Sequence, residues 1–173
     1  MLYLPHEPPD WAALLGGSGL EAFHLEVGDD YAVPTESDRY HRFLEGRPVL
    51  ADEYKDRWNA LIRETIARGV TVRRVRVVTV PHTAYHRWLL SVSDTNTEAG
   101  EDIRYVPRHL AGDVPPDDWW LIDNERVVYN LVDGRGGPAG LAITADPVIA
   151  GHCRTVKERL WELATPYPEY ARQ

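Results

Sequence analysis

The sequence predicts a single mixed α/β domain built on one sheet, and three observations support this fold class. A helical pattern that ends at Gly69 runs directly into a β-branched strand at Val70–Val80. Two later strand patterns form a hairpin around Asn124, and a capped helix begins at Asp146, where Pro147 follows. With 173 residues the chain has the size of one domain with one core. This order of helices and strands is typical of a mixed sheet.

The N-terminal part predicts an arm and three short elements. The arm is predicted at residues 1–20 and the domain at residues 21–173, because the first ten residues are rich in proline. A short helix is expected from Trp11, ended by a glycine-rich turn. Alternating polar and apolar residues predict a strand at Ala22–Val27, and a helix is expected at Ser37–Leu44.

The clearest predicted element is a helix that begins at Asp52 and ends at Gly69, residues typical of an N-cap and a C-cap. After the strand at Val70–Val80, Thr83 begins a second helix. The apolar face of the first helix comprises Tyr54, Trp58, Leu61, Ile62 and Thr65, and that of the second comprises Tyr85, Trp88, Leu89 and Val92.

The C-terminal part predicts the remaining strands and a long helix. A polar segment at 93–100 leads to a strand at Ile103–Val106, and a hairpin and a strand at Gly140–Thr144 follow. The closing helix starts at Asp146. Its apolar stripe, at spacings of four and three, comprises Ile149, Cys153, Val156, Leu160 and Leu163.

Composition limits the classes of function. The net charge of -8 argues against a protein that binds nucleic acid directly, because phosphate affinity needs clustered cationic surface. Cys153 is the sole cysteine, so neither a disulfide framework nor a cysteine zinc site is expected. The N-terminus lacks the pattern of a signal peptide, and no apolar run is long enough to span a bilayer. We therefore expect a cytoplasmic protein that needs no membrane and no cofactor.

The strand at Val70–Val80 carries the candidate binding site. Arg74 and Arg76 share one face of this strand, whereas Arg73 points to the other face. Buried arginine needs a carboxylate, a phosphate or a partner nearby, so the site is either an anion- or partner-binding patch or a structural salt-bridge network. Charge networks are the commoner of the two. The full candidate set is Arg74, Arg76, Tyr85, Arg87, Glu101, Asp102, Arg104 and Trp119.

A tryptophan pair and a histidine pair are weaker candidates for an interface and for a metal site. Trp119 and Trp120 are adjacent in a predicted strand, so we expect one in the core and the other exposed or at an interface. His82 and His86 have the spacing of a helical zinc pair. They lack the metalloprotease glutamate and an obvious third ligand, and no metal is predicted.

Several short segments together resemble an actinobacterial family of unknown function, DUF6879, over nearly the whole chain. They are Phe23–Glu26 with Tyr31, Phe43–Gly46, Arg68–Val70, Arg74–Val78, Pro81, Tyr85, Ala99–Glu101, Ile103-Arg104, Trp120–Asp123 and Trp161. Members of this family are typically encoded beside small helix-turn-helix regulators. The resemblance therefore implies a regulatory role with such a DNA-binding protein as partner.

The order of elements also resembles half of a phospholipase-D-like domain with flanking helices. The catalytic form of that domain has a histidine and a lysine ahead of the aspartate that corresponds to Asp123. Here those positions hold Pro116 and Asp118. Without the histidine nucleophile, the resemblance implies a degenerate, non-catalytic copy.

Three functions follow as hypotheses. The first is a non-enzymatic regulatory protein that acts with a small helix-turn-helix regulator. The second is a sensor whose small anionic ligand binds the arginines. The third is an enzyme, such as a phosphoesterase that uses His82 or His86 with Asp123.

Overall fold

The computed structural model describes residues 2–3, 10–17, 19–31, 36–48 and 53–173. The described strands are β1 (Leu2–Tyr3), β2 (Glu21–Glu26), β3 (Thr71–Val78), β4 (Asp102–Pro107), β5 (Asp118–Ile122), β6 (Arg126–Val132), β7 (Pro138–Thr144) and β8 (Thr165–Pro166). The described helices are α1 (Trp11–Gly16), α2 (Ser37–Leu44), α3 (Glu53–Ala67), α4 (Ala84–Val92), α5 (Asp94–Glu98), α6 (Pro147–Leu163) and α7 (Tyr167–Tyr170). The predicted Asp52 cap lies outside the described residues, as does the side chain of Tyr54.

One mixed sheet organises the described residues, in the order β1-β7-β6-β5-β2-β3-β4-β8. Strands β2, β3 and β4 are parallel neighbours, whereas β5 pairs antiparallel with β2 and continues through β6 to β7. The predicted mixed α/β fold class is confirmed. Helices cover both faces of the sheet at the central strands β2 and β3, and most polar side chains on these strands are buried or partly buried.

Helix α6 covers the first face of the sheet. Its stripe packs on Phe23 and Trp119 through Cys153, Val156 and Leu160, all of which are buried. The predicted stripe is confirmed at its centre, whereas its end residues Ile149 and Leu163 are 37% and 50% exposed. Asp146 caps this helix by accepting the amide hydrogens of residues 148 and 149, as its sequence predicted.

Helices α1 to α5 lie on the second face. Leu15 of α1 and Ile62 of α3 are fully buried there beside Trp120. The indoles of Trp11 and Trp58 contact each other edge to face and both contact the ring of Trp120. The helix of the predicted arm is thus part of the core, since its only fully buried residue packs with the sheet.

Several described elements were not expected from the sequence. Leu2–Tyr3, in the predicted arm, form β1 and pair with β7. The polar segment after α4 forms the short helix α5, and the chain beyond α6 adds β8 and α7 to the far edge of the sheet. The ring of Tyr170 in α7 stacks on Tyr105 at 5.0 Å, which explains why this end is ordered against β4. In the described part of the chain no helix combines the length and the apolarity needed to cross a bilayer.

Candidate anion-binding cavity

Two buried arginines from the central strand β3 form the base of the candidate site. Arg74 and Arg76 are 7% and 6% exposed and lie on the second face of the sheet, beneath α3 and α4. Arg73 lies on the first face, where it forms an ion pair with Glu21 at 2.7 Å. The predicted division of the three arginines between the two faces is confirmed.

Carboxylates from the neighbouring strand and from the start of β4 balance the two arginines. Glu26 bridges them by accepting hydrogen bonds from Arg74 Nη1 and Arg76 Nε, and Arg74 Nε also donates to Glu101 Oε1 at 2.6 Å. Arg76 Nη1 donates to Ser93 Oγ and to the Tyr105 hydroxyl, both at 2.8 Å. Burial opposes ionisation of Glu26, yet Arg74 and Arg76 hold the pKa of its carboxyl group well below the usual value.

The network leaves one donor group of each guanidinium unused. Within the described residues, neither Arg74 Nη2 nor Arg76 Nη2 makes a hydrogen bond. Both side chains line a cavity of about 200 Å³. Its walls and rim include Trp11, Trp58, Trp88, Trp120, Glu36, Arg39, Lys55 and Asn96, and its base includes His24, Arg74, Arg76 and Asn130.

Further buried polar atoms of residues that line the cavity have no hydrogen-bond partner in the described part of the chain. They include the indole Nε1 of Trp88, whose side chain is 1% exposed, the Oδ1 of Asn130 and the Nδ1 of His24. Asn130 contacts His24 Nε2 through its other side-chain atom at 3.3 Å, and the imidazole stacks on Trp120 at 4.2 Å. Burial, followed by the charge of Arg74, lowers the pKa of His24 to about 3, so the ring is neutral at physiological pH.

The rim of the cavity carries charged groups of both signs. Burial, and then the nearby charge of Arg39, lowers the pKa of Lys55 to about 8, which leaves the amine protonated at pH 7. Lys55 Nζ donates to the Val92 carbonyl at 2.5 Å. Burial raises the pKa of Glu36, and the Tyr85 hydroxyl donates to Glu36 Oε2 at 2.7 Å.

The structure brings together only part of the predicted set. Arg74, Arg76 and Glu101 meet at the base of the cavity, and Tyr85 reaches it through Glu36. Arg87 is exposed and donates to the His82 carbonyl at 2.7 Å.

Asp102 and Arg104 lie on the first face of the sheet, so their predicted convergence with Arg76 is wrong. The register explains this placement, because Asp102 pairs with Arg73 and Arg104 pairs with Val75. The guanidinium of Arg104 instead covers the ring of Trp161 at 3.8 Å.

The expectation that one of two adjacent tryptophans is exposed is also wrong. Trp119 and Trp120 are 1% and 2% exposed, because helices cover both faces of the sheet. Trp120, rather than the predicted Trp119, lines the cavity. Of the residues that sequence reasoning missed, His24 and Glu26 carried a usable signal, since they alternate in β2 as the two arginines do in β3.

The model of the family described as "Domain of unknown function (DUF6879)" matches residues 9–172. The chain belongs to this family. No curated protein matches the sequence. The resemblance inferred from the short segments is therefore confirmed for the family.

Solved structures show which fold this DUF6879 chain has. Nuc from Salmonella typhimurium, a phospholipase D family member, matches with a TM-score of 0.58 at 12% identity over 96% of both chains. NucT from Helicobacter pylori matches with a TM-score of 0.55 at 12% identity, over 96% of this chain and 97% of that chain. The predicted phospholipase-D-like fold is confirmed.

A third solved structure is similar over part of its length. TrmBL2, an archaeal chromatin protein with a novel mode of DNA binding, matches with a TM-score of 0.49 at 14% identity. The match covers 90% of this chain, which spans about half (49%) of the TrmBL2 chain.

The residues of the hypothetical phosphoesterase, His82 or His86 with Asp123, do not form one site in this DUF6879 chain. Asp123 accepts the amide hydrogens of residues 19, 20 and 21, at the start of β2. His86 Nε2 contacts the Gly28 carbonyl beyond the other end of β2, roughly 20 Å away along the strand. His82 contacts the Thr79 carbonyl and the Tyr170 hydroxyl. The structure therefore does not bring either histidine to Asp123.

Metal ligation has no obvious site in the same region. Among the residues that the structure describes, no group of three His, Cys, Asp or Glu side chains is arranged to hold a metal ion.

Asp118, the first residue of β5, leads to a pH-dependent prediction. Burial raises the pKa of its carboxyl group to about 6, although the Val27 amide donates to it at 2.7 Å. A carboxyl group with a raised folded-state pKa costs stability as the pH rises from about 4 to 6. Between pH 4 and pH 7 the free energy of unfolding of Asp118→Asn should therefore rise by about 2 kcal/mol relative to that of the wild type. This value follows from about 1.4 kcal/mol per pKa unit. Urea unfolding at both pH values measures this, and an unchanged difference would contradict the burial of the carboxyl group.

Proposed function

We propose that this DUF6879 protein is a non-enzymatic, cytoplasmic regulatory protein that senses a small anion in the cavity above Arg74 and Arg76. One observation carries this proposal: among the described residues, neither buried guanidinium group has a hydrogen-bond partner for its Nη2 at the base of a cavity. Arginine presents paired donors that match a carboxylate or a phosphate, so unused donors beside a cavity favour an anion.

The charges around the cavity agree with an anionic ligand. Glu26 and Glu101 compensate the two arginines beneath the cavity. At the rim, the protonated amine of Lys55 lines the cavity together with Glu36, whose pKa burial raises. A cation beside the cavity attracts an anion in spite of the overall charge of -8.

A purely structural salt-bridge network explains the same ion pairs but not the unpaired atoms. Buried donors and acceptors without partners cost about 1 to 3 kcal/mol each, and native proteins keep few of them. The indole Nε1 of Trp88 and the Oδ1 of Asn130 add to the unused arginine groups at one cavity. Their concentration in one place supports a ligand that fills their hydrogen bonds.

The proposed partner is a small helix-turn-helix regulator. Its support is the regulatory context that the family resemblance implies, and it does not depend on the arginines as a contact surface. Because Arg74 and Arg76 are buried, they do not reach a protein partner directly. The ligand would act on the partner through the helices around the cavity. Recovery of no helix-turn-helix protein with tagged bait from a lysate of the source organism would contradict this part of the proposal.

Anion binding can be tested by the thermal unfolding temperature at constant ionic strength. Sodium acetate, benzoate or phosphate at 10 mM should raise Tm relative to sodium chloride for at least one anion, because a ligand of the native state stabilises it. Lys55→Met should reduce the rise, since it removes a charge at the rim. Arg63→Met, on the exposed side of the same helix, is the matched control and should keep it. No rise with any of the three anions would overturn the proposal.

A further inference from the structure

Four tryptophans line the cavity and give it flat apolar walls. Trp11, Trp58 and Trp120 contact one another with ring centroids 5.4 to 5.9 Å apart. Trp88 of α4 lines the cavity as well. Aromatic rings favour offset or edge contacts with another aromatic ring, beyond the gain from burying its area. A planar ring therefore fits these walls better than a flexible chain of the same size.

The size of the cavity limits the ligand to one ring and a small substituent. Its volume is about 200 Å³. A cavity of about 150 Å³ in another protein accommodates one benzene molecule. The remaining volume accommodates a carboxyl group and little more, which excludes nucleotides and other ligands with several rings.

The unpaired polar atoms define the substituents of the ring. Arg74 Nη2, Arg76 Nη2 and Trp88 Nε1 are donors, so they match the oxygen atoms of an anionic group. Asn130 Oδ1 is an acceptor and matches one hydroxyl or amino group on the ligand.

Resting on the proposed function, we infer that the ligand is a planar aromatic monocarboxylate with one ring and one hydrogen-bond donor. Its carboxylate contacts the unused groups of Arg74 and Arg76. Its ring packs against the tryptophan side chains that line the cavity. Its hydroxyl or amino group donates to Asn130.

The class of ligand can be tested with four probes of matched size, titrated by isothermal calorimetry. The probes are 4-hydroxybenzoate, cyclohexanecarboxylate, 4-hydroxybenzamide and phenyl phosphate. We expect 4-hydroxybenzoate to bind at least tenfold more tightly than the other three. Cyclohexanecarboxylate lacks the planar ring and the hydroxyl group, 4-hydroxybenzamide lacks the charge, and phenyl phosphate lacks the hydroxyl group and carries a second negative charge.

Two variants connect the binding to the cavity. Trp88→Phe keeps an aromatic ring but removes the unpaired indole donor. It should lower the affinity for 4-hydroxybenzoate about fivefold, the effect of one hydrogen bond. Trp161 lies on the first face of the sheet beside Arg104, so Trp161→Phe should leave the affinity for 4-hydroxybenzoate unchanged. An equal loss in both variants would show binding outside the cavity and would overturn the inference.

The outcomes separate this inference from the broader proposal. Equal affinity for 4-hydroxybenzoate and cyclohexanecarboxylate would overturn the aromatic class and leave anion sensing in place. Tighter binding of phenyl phosphate would overturn the monocarboxylate class alone. Equal affinity for the uncharged 4-hydroxybenzamide would overturn both, because recognition would then not depend on the anion. Absence of binding by all four probes would overturn the inference, and the acetate and phosphate measurements would then decide the proposal.

Discussion

Replacing Glu26 with glutamine is expected to lower the free energy of unfolding by about 3 to 5 kcal/mol, the typical cost of breaking a buried ion pair from one side. The substitution keeps the shape of the side chain. Among the described residues it leaves Arg74 paired with Glu101 and Arg76 without a carboxylate. Urea denaturation followed by tryptophan fluorescence and by circular dichroism measures the effect.

An exposed ion pair provides the matched control for this prediction. Glu45 pairs with Arg47 at 2.9 Å, with both side chains more than half exposed, at 57% and 56%. Glu45→Gln should therefore change stability by less than about 1 kcal/mol. Similar losses in the two variants would show that Glu26 is not a buried counter-charge.

The pH dependence of the Glu26→Gln deficit has a defined sign. The folded-state pKa of Glu26 is lowered, because Arg74 and Arg76 outweigh the effect of burial. Its stabilising contribution is therefore fully present above the unfolded-state value of about 4.3 and declines as the pH falls below it. The difference in unfolding free energy between wild type and Glu26→Gln should accordingly become smaller below pH 4 and stay constant from pH 6 to pH 8.

Trp120→Ala is expected to cost about 3 to 5 kcal/mol of stability and to abolish 4-hydroxybenzoate binding, since large core aromatics lose both burial and packing. The ring is 2% exposed, stacks on His24 at 4.2 Å and lies under the Arg74 guanidinium at 5.9 Å. Chemical denaturation and calorimetry give the two readouts.

Trp120→Phe separates the two roles of this ring. Phenylalanine keeps an aromatic face against His24, so the loss of stability should be less than half of that in the alanine variant. Ligand binding should weaken and still be measurable. If the alanine variant is as stable as wild type, Trp120 is not part of the core that supports the cavity.

Local patterns predicted most elements of the fold because caps and periodicity act over a few residues. Asp146 followed by Pro147 favours a helix start through local backbone preferences alone. Gly69 has a φ of +92°, a conformation that favours glycine at a helix end. Period-two alternation placed Arg74 and Arg76 on one face. Helix α5 was missed because its polar sequence has no apolar periodicity.

The composition of the site was less predictable because it depends on pairing between distant segments. Glu26 meets the two arginines across a parallel pairing of β2 with β3, and the sequence carries no signal for that register. Arg73 pairs with Asp102 of β4, and Val75 pairs with Arg104. In this register Arg104 lies on the face of the sheet opposite to Arg74 and Arg76. The proximity of these segments in the chain therefore led to the wrong prediction that Asp102 and Arg104 lie beside Arg76.

By itself the sequence determined the mixed α/β class, the main helices and strands, and the family. Only the tertiary structure decided that Trp120 is buried and that the arginines lie under a cavity with unused donors. The physical reason is that element formation depends on local backbone preferences. Burial and charge pairing depend on which strands and helices pack together, and residues far apart in the chain set that choice.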